Sequence, residues 1–293
     1  MPVGAPPRPR TPRVRRSRSR VRRRIALVAA VSAAGVTAGI VWAVTGGPSA
    51  VPAAQCSVTS GQTTYDLSPD QAANAATISA VAAYEGLPDH AVTVALATAF
   101  QESKLINVGY GDRDSLGLFQ QRPSQGWGTP AQISDPVYAA AAFYRALVRL
   151  PHWQSDSVAV AAQSVQHSAD GAAYAQWADE ARALAIALTG ERPAGLTCGG
   201  GTLSTPKATT TATRTQVDDR IAATLGPTAL VPATAARGWS AATWLVAHSQ
   251  AYGITGVSYG GYSWAAARGS WTADSRTDAT VTYVLARPAA ATR

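Results

Sequence analysis

Residues 25–45 read IALVAAVSAAGVTAGIVWAVT, an apolar run with no charged side chain. A helix needs roughly 20 such residues to cross the hydrocarbon core of a bilayer, so this run constrains the chain more than any other feature. Ten arginines lie between Arg8 and Arg24, immediately before it, and the next basic residue after it is Lys104. By the positive-inside rule residues 1–24 are expected to stay cytoplasmic and everything after residue 45 to be exported. The run exceeds the usual signal-peptide core of about 7–15 residues, and an uncleaved anchor is the reading adopted. Cleavage after Val51-Pro52-Ala53 is the alternative. A lipoprotein Cys56 is disfavoured by Gln55 just before it.

The charge is confined to that tail. Removing its ten arginines from the 25 basic residues leaves 15 against 17 acidic ones, a balance of −2. A basic nucleic-acid-binding body is therefore not expected. The arginines read as a topology signal rather than a ligand site. Cys56 and Cys198 fall on the exported side, where a disulfide is permitted. They bracket one compositionally uniform stretch, so a bridge between them would tie the two ends of a domain together; two unpaired thiols are the other reading.

Composition then divides the exported part. Residues 46–62 form a Gly/Pro/Ser/Ala connector, 63–198 a first body, 199–215 a Gly/Thr-rich linker and 216–293 a smaller second body. The first body reads as mainly helical. Ser68-Pro69-Asp70 gives a cap, a proline at the first helical position and an early acid, and the helix should run to about Glu85. Pro88-Asp89 opens a second, with Val92, Leu96 and Ala99 at helical spacing and Glu102 near its end. An ordered loop over 107–129 follows, then helices at about 135–149, 156–168 and 171–189; no alternating strand stands out, and a short hairpin within the loop is the alternative. The second body reads as a small α+β module: a helix over 239–251, strands at 256–259 and 262–264 about a Gly260-Gly261 turn, and an alternating strand over 277–285.

Chemistry concentrates in 96–129, LATAFQESKLINVGYGDRDSLGLFQQRPSQGWGT. Ala95, Thr98 and Ala99 are short and lie on the turns preceding Glu102. They would let another helix approach closely and dry its carboxyl, and desolvation raises a carboxyl pKa, as a general acid at neutral pH requires. Gln, Tyr and Trp side chains nearby suit a sugar. Asp112 and Asp114 read as turn acids or as a second carboxylate. An EF-hand is excluded, because no acid follows at the twelfth position. His90, His152 and His167 lack metal-ligand spacing, and no metal or cofactor is expected. Neither a Gly-x-Ser-x-Gly elbow, a phosphate loop nor a dinucleotide fingerprint is present.

Glu102-Ser103, followed fifteen residues after the Glu by Gly117-Leu118-Phe119-Gln120, resembles the signature of the soluble lytic transglycosylase and goose-type lysozyme superfamily. The run YGDRDSLGLFQQRPSQGWGT, and the segment Gln163-Ser164-Val165-Gln166 through Tyr174, resemble its membrane-anchored actinobacterial lysozyme-like branch. The likeness covers about residues 65–190. It implies a lysozyme-like helical domain that cleaves the β-1,4 bond between N-acetylmuramic acid and N-acetylglucosamine in peptidoglycan, with no cofactor. Glu102 would be the catalytic acid. Ser115, Gln120, Gln121, Trp127, Gln166 and Tyr174 would hold the glycan or support its loop, and Asp112 or Asp114 would be the second acid of a hydrolase. The Ala-Tyr-Asn element of lytic transglycosylases is replaced here by Gln163 to Gln166, which leaves the product open. The alternative is a non-catalytic wall-binding or scaffold protein that retains the cleft. The second body weakly resembles the carboxyl part of a domain akin to zinc D-Ala-D-Ala carboxypeptidases. Thr280-Val281-Thr282 stands where those enzymes carry His-x-His, and His248 stands alone, so metal catalysis is not expected there.

Overall fold

Cys56 and Val58 alternate with exposed or half-exposed neighbours, a pattern that buries one face of an extended chain. Gln55–Ser60 forms strand β1, which a turn at Gly61 joins to β2, Thr63–Leu67. The computed structural model describes residues 53–167, 172–201, 212–276 and 278–287. The arginine tail, the apolar 25–45 run and most of the Gly/Thr-rich stretch lie outside these. Among the described residues no helix is long and apolar enough to cross a membrane.

β1 sits at the centre of an antiparallel sheet of order β2-β1-β3, where β3 is Leu196–Gly199. Cys56 lies opposite Cys198, and the two are joined by a disulfide. Composition had placed 46–62 in a connector and no strand in the first body. The correction has a physical reason: two apolar positions are a weak strand signal, and half of the pairing that stabilises β1 comes from β3, where the partner of Cys56 lies 142 positions away.

Helix α1, Pro69–Tyr84, starts where expected. Ser68 Oγ accepts from the Gln71 N–H at 3.2 Å, and Gln71 Oε1 accepts from the Ser68 N–H at 2.9 Å, a reciprocal cap that satisfies two orphan donors. Helix α2, Asp89–Ser103, is buried at every position from Ala91 to Phe100, as befits a central helix rather than an amphipathic surface one. Around it lie α3 (Pro130–Ile133), α4 (Pro136–Leu147), α5 (Val158–Gln166), α6 (Ala172–Ala175) and α7 (Ala178–Leu188). Thr129, Asp135 and Ser157 cap α3, α4 and α5. Its small residues let α2 pack most extensively against α7.

The second body opens with α8, Arg214–Leu225, capped by Thr213 inside the stretch read as linker. Helix α9, Ala235–Ala247, and the short α10, Ser249–Tyr252, are separated at His248. Strands β4 (Ile254–Tyr259), β5 (Tyr262–Ala265), β6 (Ser270–Ala273) and β7 (Thr282–Leu285) form an antiparallel sheet of order β6-β5-β4-β7. The expected Gly260-Gly261 turn joins β4 to β5, both glycines with positive φ. Strand β6 was not foreseen, because SWTA is too short to stand out.

The two bodies share one hydrophobic core, in which Ile78 and Leu196 belong to the same cluster as Val217, Trp244 and Trp264. Helix α1 packs on α8 and α9. The Trp264 and Trp271 indole N–H groups donate to the carbonyls of Cys198 and Leu196 at 3.1 and 2.9 Å. Gly199 meets Gly269 so closely that a Cβ on Gly199 would lie 2.6 Å from the Gly269 Cα. The fold is thus mixed α+β, about 47% helical with small antiparallel sheets, rather than mainly α.

Candidate active site

Glu102 stands two residues beyond the fully buried run of α2, so the helix delivers it from a dry core to a half-buried edge. Its carboxylate Oε1 accepts a 2.7 Å hydrogen bond from the Tyr174 hydroxyl. Burial pushes the Glu102 pKa above its ordinary value, and the Tyr174 hydroxyl pulls partly the other way. The start of α7 is clamped to the same end of α2. Trp177 stacks on Phe100 at 5.2 Å, its indole N–H donates to Gln101 Oε1 at 2.9 Å, and Lys104 Nζ lies 4.2 Å from its ring centre. These contacts hold α6, and with it Tyr174, against the carboxyl.

The 107–129 loop is fastened beside that end. The Ser103 hydroxyl, with one proton to donate, lies 2.8 Å from the Leu118 carbonyl and 3.1 Å from the Ala99 carbonyl, both acceptors. Gly117 has φ +76°, and a Cβ there would meet the Ile133 carbonyl at 2.7 Å, so the turn needs glycine. Leu118 and Phe119 are buried, with Phe119 stacked on Phe143 at 4.7 Å. Gln120 then turns through the left-handed conformation, φ +48°, before Gln121 pairs back onto Leu116. Gln120 and Arg122 line a cavity of about 490 Å³ that also contains Glu102. Gln121, between them, turns inward: it is 1% exposed, exchanges backbone hydrogen bonds with Leu116, and its Nε2 donates to the Ala139 carbonyl at 3.1 Å.

Of the residues singled out from sequence, Glu102, Gln120, Trp127, Gln166 and Tyr174 come together on this cavity. Gln166 Nε2 donates to the Phe119 carbonyl at 2.8 Å, tying α5 to the loop. Trp127 is half-buried, and its carbonyl accepts from the Tyr138 hydroxyl at 3.2 Å. Ser115 is buried inside the loop and Gln121 behind it; neither is on the cavity wall. The two candidate second acids stand elsewhere. The Asp112 side chain is 93% exposed. Asp114 pairs with Arg122 at 2.8 Å and also accepts from the Ser124 N–H and hydroxyl, and these bonds hold its pKa well below the usual carboxylate range. Among the described residues lining the cavity, Glu102 is the one carboxylate.

Phe119, Arg122, Gln125, Val165 and His167 also line it, none of them assigned to the site from sequence, although Phe119 and Val165 stand within the quoted motifs. Arg122 reaches the wall from extended backbone, φ −114° and ψ 120°, just before the short helical turn Pro123–Gln125. His167 reaches the wall because it ends α5 in the left-handed conformation, φ +51°, which no residue pattern announced.

Among the described residues no group of three His, Cys, Asp or Glu could hold a metal. His248 is buried between the two bodies, with Nδ1 2.8 Å from the Trp244 carbonyl and Nε2 3.3 Å from Thr77 Oγ1. Burial pushes its pKa down to about 4, so it is neutral at pH 7. No family model matches the chain, and a search of the curated proteins finds no match.

Proposed function

We propose that this protein is a membrane-anchored enzyme that cuts the glycan strands of peptidoglycan with Glu102 as its single general acid and base. In this reading the first body is a lysozyme-like helical domain and the second a small α+β module, both outside the membrane, with the amino terminus in the cytoplasm. The observation that carries it is the Glu102–Tyr174 pair, a half-dry carboxyl with a raised pKa facing a 490 Å³ cavity walled by Gln120, Gln166 and Trp127. Amides bind sugar hydroxyls and acetamides, and an indole covers a sugar ring face.

Oε1 is engaged by Tyr174, so the proton is carried on Oε2 and passes to the glycosidic oxygen as the bond to C1 breaks. The positions of Asp112 and Asp114 favour the route that needs no second carboxylate. The 6-hydroxyl of the same muramyl residue attacks C1, its proton goes to the Glu102 carboxylate, and an anhydro-muramyl end forms. A hydrolase would instead deliver water with a second acid.

Purified wall digested with the wild-type chain and with Glu102→Gln, with the released ends read by mass spectrometry, tests this. Muropeptides with anhydro ends are expected from the wild type, and release by the variant should fall by roughly 10²–10⁴-fold. The wild-type rate should decline as pH rises through the raised Glu102 pKa, because the acid must be protonated. Undiminished release by Glu102→Gln would overturn the proposal, and so would tight wall binding by a wild type that releases nothing, which is what a scaffold would do.

A further inference from the structure

Arg122 is an arginine held in place by a carboxylate on one side and turned toward the cavity on the other. Its Nε donates to Asp114 Oδ1 at 2.8 Å, and its Nη2 lies 3.3 Å from Ser124 Oγ. Asp114 is fixed in turn: Oδ2 accepts from the Ser124 N–H at 2.8 Å and Oδ1 from the Ser124 hydroxyl at 3.0 Å. The Arg122 side chain is 21% exposed, so little of it reaches solvent. These bonds use one edge of the guanidinium. A guanidinium has five N–H donors in a rigid fork, and Nη1 makes none of the hydrogen bonds to Asp114 or Ser124. A cation with donors to spare on the wall of a sugar-sized cavity matches a planar anion, since a fork of N–H groups fits a carboxylate with two parallel bonds.

We infer that Arg122 is a specificity-determining residue that binds a carboxylate of the glycan substrate, and that Asp114 is the positioning residue that aims it. The inference rests on the glycan-cleaving reading above and narrows it to strands that carry an acid. In peptidoglycan that carboxylate has two sources: the lactyl group of a muramyl residue without its peptide, or the end of a peptide attached there.

Three tetrasaccharides separate the outcomes, each titrated into the full-length chain in detergent with Glu102→Gln in the background to prevent turnover. One is chitotetraose, which is neutral. The second alternates N-acetylglucosamine and N-acetylmuramic acid with free lactyl groups. The third carries dipeptides amide-linked to those lactyl groups, which moves the carboxylates to the peptide ends. The wild-type Arg122 background should prefer an acidic glycan over chitotetraose, and Arg122→Gln should cut that preference about tenfold or more. Asp114→Asn should lower the same ratio by a smaller factor, and Arg122→Lys should retain part of it, because a point charge survives without the fork. These two variants carry the test if Arg122→Gln fails to fold. Dependence on Arg122 for the free-lactyl glycan alone identifies the lactyl group, for the peptide-bearing glycan alone the peptide end; either supports the inference. An unchanged ratio across all three variants overturns it and leaves the glycan reading standing. Failure of every glycan to bind the parent chain sinks the glycan reading, and this inference with it.

Discussion

At the scale of the residue, the half-buried position of Glu102 costs the ionised fold stability. Its folded-state pKa is raised by burial, whereas in the unfolded chain it returns to the ordinary glutamate value. Such a group leaves full stability below the unfolded pKa, and stability is lost as pH rises through the folded pKa. Glu102→Gln, which keeps an acceptor for the Tyr174 hydroxyl, should therefore match the wild type near pH 4 and exceed it near pH 8. Partial solvent exposure keeps the gain small, on the order of 1 kcal/mol or about 2–4 °C in melting temperature for a chain of this size. Melting curves at the two pH values check it; an equal difference at both would place the effect in packing rather than ionisation. Glu102 was singled out mainly by the resemblance that Glu102-Ser103 and Gly117-Leu118-Phe119-Gln120 carry; the short side chains on the turns before it suggested only that its carboxyl could be dried. The opposite directions of Gln120 and Gln121 were not legible, because two adjacent glutamines carry no label for the side each will take; only the Leu116–Gln121 backbone exchange fixes that.

At the scale of the element, the site is the junction between the end of α2 and the 107–129 loop. Ser103 makes that junction by reaching the Leu118 carbonyl. Ser103→Ala should cost about 1 kcal/mol of stability; if the chain cleaves glycan as proposed, it should also lower turnover more than glycan affinity, because it frees the loop relative to Glu102 without touching the cavity wall. A kcat/KM series with matched binding titrations checks this, and an unchanged kcat would show that the loop is fixed by Phe119 and Gln121 alone. The first helix was readable because Ser68-Pro69-Asp70 marks its start, and the helices near 135 and 157 were readable from their apolar runs. The small sheet was not: the local β1–β2 hairpin has few apolar positions to mark it, and nothing near Cys56 or Val58 announces the second partner, β3, so far along the chain. Helix α8 was missed for a related reason: its cap, Thr213, lies within a threonine-rich run that resembles a linker in composition.

At the scale of the whole molecule, β3 is the shared wall. It pairs with β1 on one side and receives the Trp264 and Trp271 indoles of the second body on the other. A shared core predicts that both bodies unfold together. Calorimetry of the oxidised chain should give one transition, and reduction of Cys56–Cys198 should lower stability by roughly 2–5 kcal/mol, as expected when a long closed loop is opened. Two separated transitions before reduction would contradict the shared core. The same bond also decides how the chain carries mechanical load. Tension drawn between the two ends passes from Cys56 straight to Cys198 through sulfur, so residues 57–197 never lie on the load-bearing path. A stretched molecule would therefore gain length only from residues outside that loop for as long as the bond is intact.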